Sequence, residues 1–545
     1  MSPRQRTYST RAEVDFVVVG SGAAGGVIAK ELSTAGFDVV VLEQGPWRHP
    51  ADYRHDEIDD GLGSRDPSDP QCFRRAEGDE PERRSAAYYL PVIGGTSVHF
   101  TGNYWRFREV DFIERSLLGP LEGTGFADWP ITYQDLESYY TKVDWEVGVS
   151  GAPGPHDPPR SRPYPMPPLP VKSSGVLLER AALALGWHPF PAPMAILSQP
   201  HNGRPPCQHC GWCMGFGCEY HAKSSSLATM IPLAQASGHC EIRAESTVAR
   251  IETDARGRVT EVVYFDKEGA QHAQPAKAVV LCANGAETPR LLLMSDSPRF
   301  PRGLANSSDC VGRYLMGNGQ VHAYGRFEHP LNEHKSVQVT RVVWDFYDSD
   351  PSRGYHGGGG IDARFQFNPI GFGLNGLPPT APKWGAEYKR MLGRYFNYTI
   401  DVNGHTTNIP LATNTITLDR EATDRFGRPG LCVTYTDHPD DITIQKFFLE
   451  RCKEVVAAMS PLEQWERPVR ETRGQAHLLG TCRMGNDPAT SVVDRFHRTH
   501  DVSNLFICDG SSFVSSGRGQ PTMTIQALAF RAAEVIGDFA RRREI

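Results

Sequence analysis

Near its start the chain carries Gly20-Ser-Gly22-Ala-Ala-Gly25, a pattern that limits the fold more than any other feature. An apolar run at 15–19 precedes it, an alanine-rich stretch at 23–35 follows, and a second apolar run at 38–42 ends on Glu43. Strand, glycine turn, helix and strand in that order predict a βαβ unit. Gly20 permits the tight turn, Gly22 lets the backbone approach a pyrophosphate, and Gly25 lets helix and strand pack closely. The helix N-terminus favours the negative charge. Glu43 stands 43 − 25 = 18 residues after Gly25, where a carboxylate accepts hydrogen bonds from an adenosine ribose. A glycine pattern alone also fits a structural turn; with strand, helix and acid in register it predicts a dinucleotide site.

The chain has 545 residues, 39% hydrophobic and 22% charged, enough for two or three domains around a large core and incompatible with global disorder. Its net charge of 57 − 64 = −7 and lack of a basic block argue against a nucleic-acid partner. No apolar run approaches the ~18 residues of a membrane span, so no transmembrane segment is expected. Residues 1–14 are polar, without the apolar centre or twin arginine of an export signal, and read as a frayed tail. The expectation is a soluble protein, cytoplasmic or carried to the periplasm with a partner subunit.

Residues 53–84 are polar and charged and read as a surface excursion. Nine prolines between 151 and 170 exclude helix and central strand and predict an extended strap. A strand at 278–282 and a helix from 288 follow. Alternating runs at 322–327 and 414–418 predict antiparallel strands, with 357–360 a flexible turn. A buried strand at 505–508 and a helix at 522–541 close the chain. This order predicts a nucleotide-binding α/β domain made from both ends of the chain, with a mixed domain inserted.

Several further segments resemble the glucose-methanol-choline (GMC) oxidoreductases. Gly94-Gly95-Thr96-Ser97, Asp128-Trp-Pro130-Ile-Thr-Tyr133 and Gly285-Ala-Glu-Thr-Pro289 match the family's signatures, as do Val311-Gly-Arg-Tyr-Leu315 and His477-Leu-Leu-Gly-Thr-Cys-Arg-Met-Gly485. Asp509-Gly510 with Pro521-Thr522-Met-Thr524 completes the set, and the match is thinnest over 320–465. The N-terminal position of the glycine motif and the trailing Glu43-Gln-Gly45-Pro also resemble flavin-binding chains. The resemblance implies a Rossmann-like FAD-binding α/β domain, of the GMC and p-hydroxybenzoate-hydroxylase kind, with an inserted α+β substrate domain on an antiparallel sheet. The expected division is FAD-binding 14–150, strap 151–206, cysteine-rich segment 207–240, FAD-binding 241–320, substrate domain 321–470, and FAD-binding and catalytic 471–545.

The resemblance also assigns roles. FAD would contact Gly95, Thr96, Ser97, Asp509, Gly510 and Thr522. His477 would take the hydroxyl proton while hydride leaves the alcohol carbon, a task that suits an imidazole. Gln520 stands where the family has Asn or His and would hydrogen-bond the substrate oxygen or His477; an amide cannot act as a base. Gly317-Asn-Gly replaces the family's Asp-His-Pro. His99 resembles a histidine that some members bond covalently to the flavin; the alternative is a noncovalent ring stacked near it.

Of the twelve cysteines, eight are scattered, which is not disulfide density, and Cys282 and Cys508 read as buried thiols. Cys207, Cys210, Cys213 and Cys218 crowd together among glycines. That spacing suits an iron–sulfur cluster or, in the alternative, zinc or plain redox thiols. It resembles the cysteine-rich segment in flavoprotein subunits of bacterial gluconate, sorbitol and glucose dehydrogenases, which implies an iron–sulfur cluster, [3Fe–4S] before [4Fe–4S]. The function expected from the resemblance is FAD-dependent oxidation of a hydroxyl of a sugar, glycoside or polyol. Electrons would leave through the cluster to a small subunit or a cytochrome. The alternatives are an oxidase using oxygen, a lyase with a structural flavin, and a noncatalytic redox scaffold.

Overall fold

The computed structural model describes residues 6–58, 69–365 and 368–545. Strand β1 (Val14–Val19), helix α1 (Ala23–Thr34) and strand β2 (Val39–Leu42) form the expected βαβ unit, with β1 and β2 parallel in the register Phe16↔Val39. Both strands are almost continuously apolar because helices and loops cover both faces of a parallel sheet. Their sheet has seven strands. Cys240–Arg243, β2, β1 and Gln271–Leu281 lie side by side, Val259–Phe265 and Thr247–Thr253 extend the sheet, and Leu505–Ile507 pairs in parallel with Gln271–Leu281. Strand Leu505–Ile507 comes from the C-terminal region, as expected of a domain built from both ends. Helix Thr522–Arg541 packs on α1.

The second sheet is antiparallel and six-stranded. Glu463–Glu466, Gly319–Arg326, Thr399–Thr406, Gly359–Arg364, Arg341–Val343 and Pro189–Pro191 follow one another across it, and the 20-residue helix Pro439–Ala458 covers it. Residues 151–170 form no helix or strand, as nine prolines require. This strap is held by Arg160, whose Nη1 donates to Asp144 at 2.7 Å, and by the Tyr133 hydroxyl, which donates to the Pro159 carbonyl at 2.6 Å.

Four expectations are corrected. The surface excursion contains a buried strand, Gln71–Arg74, paired in parallel with Pro429–Thr434; residues 59–68 of that stretch lie outside the described residues. Cys72 and Cys432 face each other in that pairing and form a disulfide, which cysteine count had argued against. The expected turn 357–360 is half strand: Gly359 and Gly360 begin Gly359–Arg364. Glycine is needed there for space, since a Cβ on Gly360 would lie 2.7 Å from His405 Nε2 and 2.8 Å from the Trp344 ring. The N-terminal tail is docked from Tyr8, whose amide donates to Glu241 and whose hydroxyl donates to Asp38, both at 2.7 Å. Residues 1–5 lie outside the described residues. No helix among the described residues is long and apolar enough to cross a membrane.

Candidate active site

The two sheets and the C-terminal segment enclose a cavity of about 960 Å³. Gly20, Gly22, Glu43, His477, Gln520 and Thr522 all line it. Gly20 has φ +94°, and a Cβ on it would meet the Cys282 carbonyl oxygen at 2.5 Å, so the fold itself demands glycine. Gly25 does not line the cavity. It packs behind the turn, where a Cβ would lie 1.9 Å from the Gly20 oxygen. Gly22 differs: a Cβ there would meet nothing nearer than Gly95 Cα at 3.8 Å, at an ordinary φ of −65°. The protein does not need that glycine for its own packing; a ligand in the cavity would.

Glu43 is buried, and its carboxylate accepts from the Ser21 amide (2.9 Å), the Ser21 hydroxyl (2.8 Å) and the Gly45 amide (2.9 Å). Burial raises its pKa against these bonds. Gly95, Thr96, Ser97 and His99 also line the cavity, with Gly95 packed against Gly22. Ser97 is fixed by donating to the Gly94 carbonyl at 2.7 Å and accepting from the Ser226 amide at 3.1 Å. Asp509 and Gly510 also line it, and Asp509 ties the wall together by accepting from Thr288 Oγ1 (2.6 Å) and the Asn284 amide (3.0 Å). Helices α1 and Thr522–Arg541 both start at the cavity, so two positive helix ends border it. Volume, glycine floor and positive ends fit an extended dinucleotide with an anionic centre.

His477 is positioned by backbone pairing. Met316 and Leu479 form an antiparallel bridge, with Met316 N donating to Leu479 O (2.9 Å) and Leu479 N to Met316 O (3.1 Å). Two residues on from one and two back from the other, Asn318 and His477 come opposite each other on the same side. His477 Nδ1 lies 2.7 Å from Asn318 Oδ1. The Asn318 amide nitrogen donates to the carbonyls of Thr406 and Gly517, each at 3.1 Å, so its oxygen must face His477 and accept. This puts the imidazole proton on Nδ1 and leaves the Nε2 lone pair free to act as a base. Burial, and then the charge of Arg364, lower the His477 pKa to about 4, so the ring is neutral at neutral pH. Arg364 lines the cavity and is buried, held by a two-pronged contact with Asp362.

Gln520 and His477 both line the cavity, but His477 Nδ1 bonds Asn318 rather than the Gln520 amide. Its loop is anchored by Arg518, which is fully buried. Arg518 Nε donates to the Tyr347 carbonyl at 2.6 Å, Nη2 donates to Glu114 at 2.6 Å, and Nη1 bonds Asp111. Sequence reasoning missed Asn318, Arg364 and Arg518. For Asn318 a signal existed, because Gly317-Asn-Gly was the segment departing from the resembling family.

The four cysteines 207, 210, 213 and 218 line one small cavity with Trp212 and His55, whose rings stack at 5.5 Å. The chain between Cys213 and Cys218 is also a wall of the large cavity. Met214 and Gly215 line it, and Gly215 N donates to the His99 carbonyl at 2.8 Å. Two cations flank the cysteines, Lys223 buried and Arg204 partly buried. Lys223 Nζ donates only to carbonyls, those of Phe100 (2.8 Å), Cys213 (2.6 Å) and Phe216 (2.8 Å). Arg204 bonds the carbonyls of Val147 and His221 and the Ser224 hydroxyl. Neither pairs with a carboxylate among the described residues. Burial lowers Lys223 to about 8 and Arg204 to about 10. Buried cations without counter-charge are costly, and thiolates at the four cysteines would supply it. The donor set therefore fits a metal cluster, which deprotonates its cysteine ligands.

The description "GMC oxidoreductase" matches residues 174–315 and 410–529, and an NAD(P)-binding Rossmann-like description matches 18–48. 2-Methyl-1,2-propanediol dehydrogenase of Mycolicibacterium austroafricanum is 34% identical over 97% of this chain and 96% of its own length. This chain belongs to the GMC oxidoreductases. The fructose dehydrogenase large subunit of Gluconobacter japonicus is 29% identical, covering 96% of this chain and 97% of that one. The gluconate 2-dehydrogenase flavoprotein of Pantoea cypripedii is 27% identical, covering 96% and 93%. Among solved structures, pyridoxine 4-oxidase from Mesorbium loti shares the fold with a TM-score of 0.64 at 17% identity, over 96% of this chain and 99% of that one. As a GMC oxidoreductase the protein is an FAD-dependent enzyme acting on hydroxyl groups.

Proposed function

We propose that this GMC enzyme is a dehydrogenase that oxidises a hydroxyl of a sugar, glycoside or polyol and exports the electrons through an iron–sulfur centre on Cys207, Cys210, Cys213 and Cys218. The observation that carries this reading is buried Lys223, with partly buried Arg204 near it and no carboxylate bonded to either among the described residues, beside cysteines whose connecting chain also walls the large cavity. An oxidase handing electrons straight to oxygen, or a lyase with a structural flavin, would leave such a centre idle. The relatives named as dehydrogenase subunits support the electron-exporting reading and imply a partner subunit or cytochrome as acceptor. The three-iron form is proposed from the resemblance of the cysteine segment.

FAD supplies the hydride acceptor. Gly20, Gly22 and Glu43 would hold its adenosine end, and Gly95 to Ser97, Asp509, Gly510 and Thr522 the remainder, with Gly25 acting through packing. His477 Nε2 accepts the hydroxyl proton, with its tautomer held by Asn318. Gln520 orients the substrate oxygen. Arg364 keeps the imidazole neutral and ready to accept.

The test is a single preparation assayed for FAD, iron and acid-labile sulfide, then bleached anaerobically with glucose, gluconate, sorbitol, fructose and a pyranoside. Iron with sulfide, substrate bleaching, and faster turnover with a dye than with oxygen are expected. Stoichiometric zinc without sulfide, or peroxide formed faster than any dye is reduced, overturns the proposal. Acid precipitation separates the two roles of His99: flavin that stays with the protein means a covalent link, and flavin in the supernatant means a stacked ring.

A further inference from the structure

We propose that His156, His188 and Asp345 form a site for a divalent transition-metal ion of the zinc class, which clamps the proline-rich strap to the edge of the six-stranded sheet. The three residues come from separate stretches. His156 lies in the strap, His188 precedes the edge strand Pro189–Pro191, and Asp345 follows Arg341–Val343. The antiparallel register Val343↔Pro189 carries His188 and Asp345 past each other at the end of that pairing. The His188 amide donates to Asp345 Oδ2 at 3.1 Å, and His188 Nδ1 lies 2.7 Å from Asp345 Oδ1. The strap brings the third member. Gly154 sits so close to Phe190 of the edge strand that a Cβ there would lie 2.3 Å from its ring, and two residues on, His156 Nε2 is 3.8 Å from the same Asp345 oxygen.

One ligand atom from each residue lies within 4.8 Å of the other two, and among the described residues no other trio of His, Cys, Asp or Glu converges in this way. Zinc holds nitrogen and oxygen at 2.0–2.2 Å, which sets tetrahedral ligands roughly 3.3 Å apart. The observed 2.7 and 3.8 Å lie on either side of that spacing. A plain His188–Asp345 pair would use two of the residues and leave His156 unexplained, because His156 Nε2 is buried without a hydrogen-bond partner. With the ring proton on Nδ1, that nitrogen would present a shielded lone pair to a metal ion. Two imidazoles and one carboxylate favour zinc, nickel or copper over magnesium or calcium. The His188 side chain is 59% exposed, which leaves room for water as a fourth ligand. The next strap residue, Asp157, bonds Arg160, so a metal here would stiffen the segment that anchors to Asp144.

The test is equilibrium dialysis of the flavin-loaded protein against zinc, comparing wild type with His156→Ala and Asp345→Asn. Zinc taken up by the four cysteines is common to all three proteins and cancels in the difference. Wild type should bind one more zinc per chain than either variant, or bind it more tightly by over about tenfold, the loss that even an outer-shell partner causes. Zinc should also slow proteolysis within 151–170 in wild type alone. Equal uptake and equal affinity in wild type and His156→Ala overturns the site. If Asp345→Asn loses its flavin spectrum and so its fold, the half-buried strap residue His156 decides the question by itself.

Discussion

Asn318 offers the sharpest test of how the base is prepared. Asn318→Ala removes the acceptor 2.7 Å from His477 Nδ1 and leaves a shielded N–H unbonded. Such an orphaned group costs about 1–3 kcal/mol, and the imidazole is free to shift its proton to the nitrogen that must act as base. Since ~1.4 kcal/mol is a factor of ten, the rate of anaerobic flavin reduction should fall roughly 10–100-fold. Flavin binding should persist, because the glycine turn lies elsewhere. Asn318→Asp keeps an acceptor but adds a negative charge and aims a second oxygen at the Thr406 and Gly517 carbonyls. It should be slow and less stable, and the acid limb of its reduction rate should move up from about pH 4 by about 1–3 units. Stability moves with the same group. His477 titrates near 4 in the fold against an ordinary 6.5, so the unfolded chain binds its proton more readily between those values. The wild-type fold therefore loses stability as pH falls through that window, and Asn318→Asp should narrow it. Stopped-flow bleaching from pH 4 to 8, with thermal melts over the same range, measures both effects. An Asn318→Ala enzyme with the wild-type rate, or an Asn318→Asp enzyme with an unmoved acid limb, refutes the tautomer assignment.

His477→Ala should slow flavin reduction by roughly 10²–10⁴ while the bound flavin spectrum is retained; unimpaired bleaching removes its role as base. Arg518→Met leaves Asp111 and Glu114 buried without their cation and should cost ~3–5 kcal/mol of stability, read by denaturant unfolding; an unchanged midpoint would show that the ion triad does not anchor the Gln520 loop. Lys223→Met should lower iron and sulfide content together, and metal content equal to wild type would detach that cation from the cysteines. Cys213→Ser should stop dye reduction yet leave substrate bleaching within a few-fold of wild type, so loss of both steps at once would contradict a separate exit path.

Much of the fold was legible because its signals are local. The glycine turn, its flanking strands and Glu43 lie within thirty residues, and helix Thr522–Arg541 fell on the bounds that its periodicity predicts. What escaped reading depends on pairing across the chain. Residues 71–74 carry Gln and Arg beside Cys and Phe and look like surface, yet become strand because Pro429–Thr434 lies alongside. The Cys72–Cys432 disulfide spans 360 residues, and no count of cysteines reveals such a partner. Gly359 and Gly360 look like a turn by composition, yet they pair as strand with Thr406 and His405, where the Phe448 ring crowds Gly359 and the His405 and Trp344 rings crowd Gly360.

The candidate site divides in the same way, and the division has a physical cause. Residues proposed to touch a ligand sit in motifs, so the resemblance singled out His477 and Gln520, and the close spacing singled out the four cysteines. The groups that set their protonation come from other segments. Asn318 reaches His477 only because Met316 pairs with Leu479, and Arg364 comes from the inserted sheet. Lys223 lies five residues beyond Cys218, but nothing in its sequence context says that it is buried with only carbonyls for partners. It is a positive charge shut in beside the cysteine cavity. The same short segment, from Cys213 to Cys218, faces the cysteine cavity on one side and bonds His99 in the flavin cavity on the other. Any change that strengthens the negative charge at the cysteines is therefore felt within one peptide's reach of the flavin-binding wall. That shared wall, more than the cysteine spacing, is the physical reason for proposing that a centre on the cysteines would exchange electrons with the flavin.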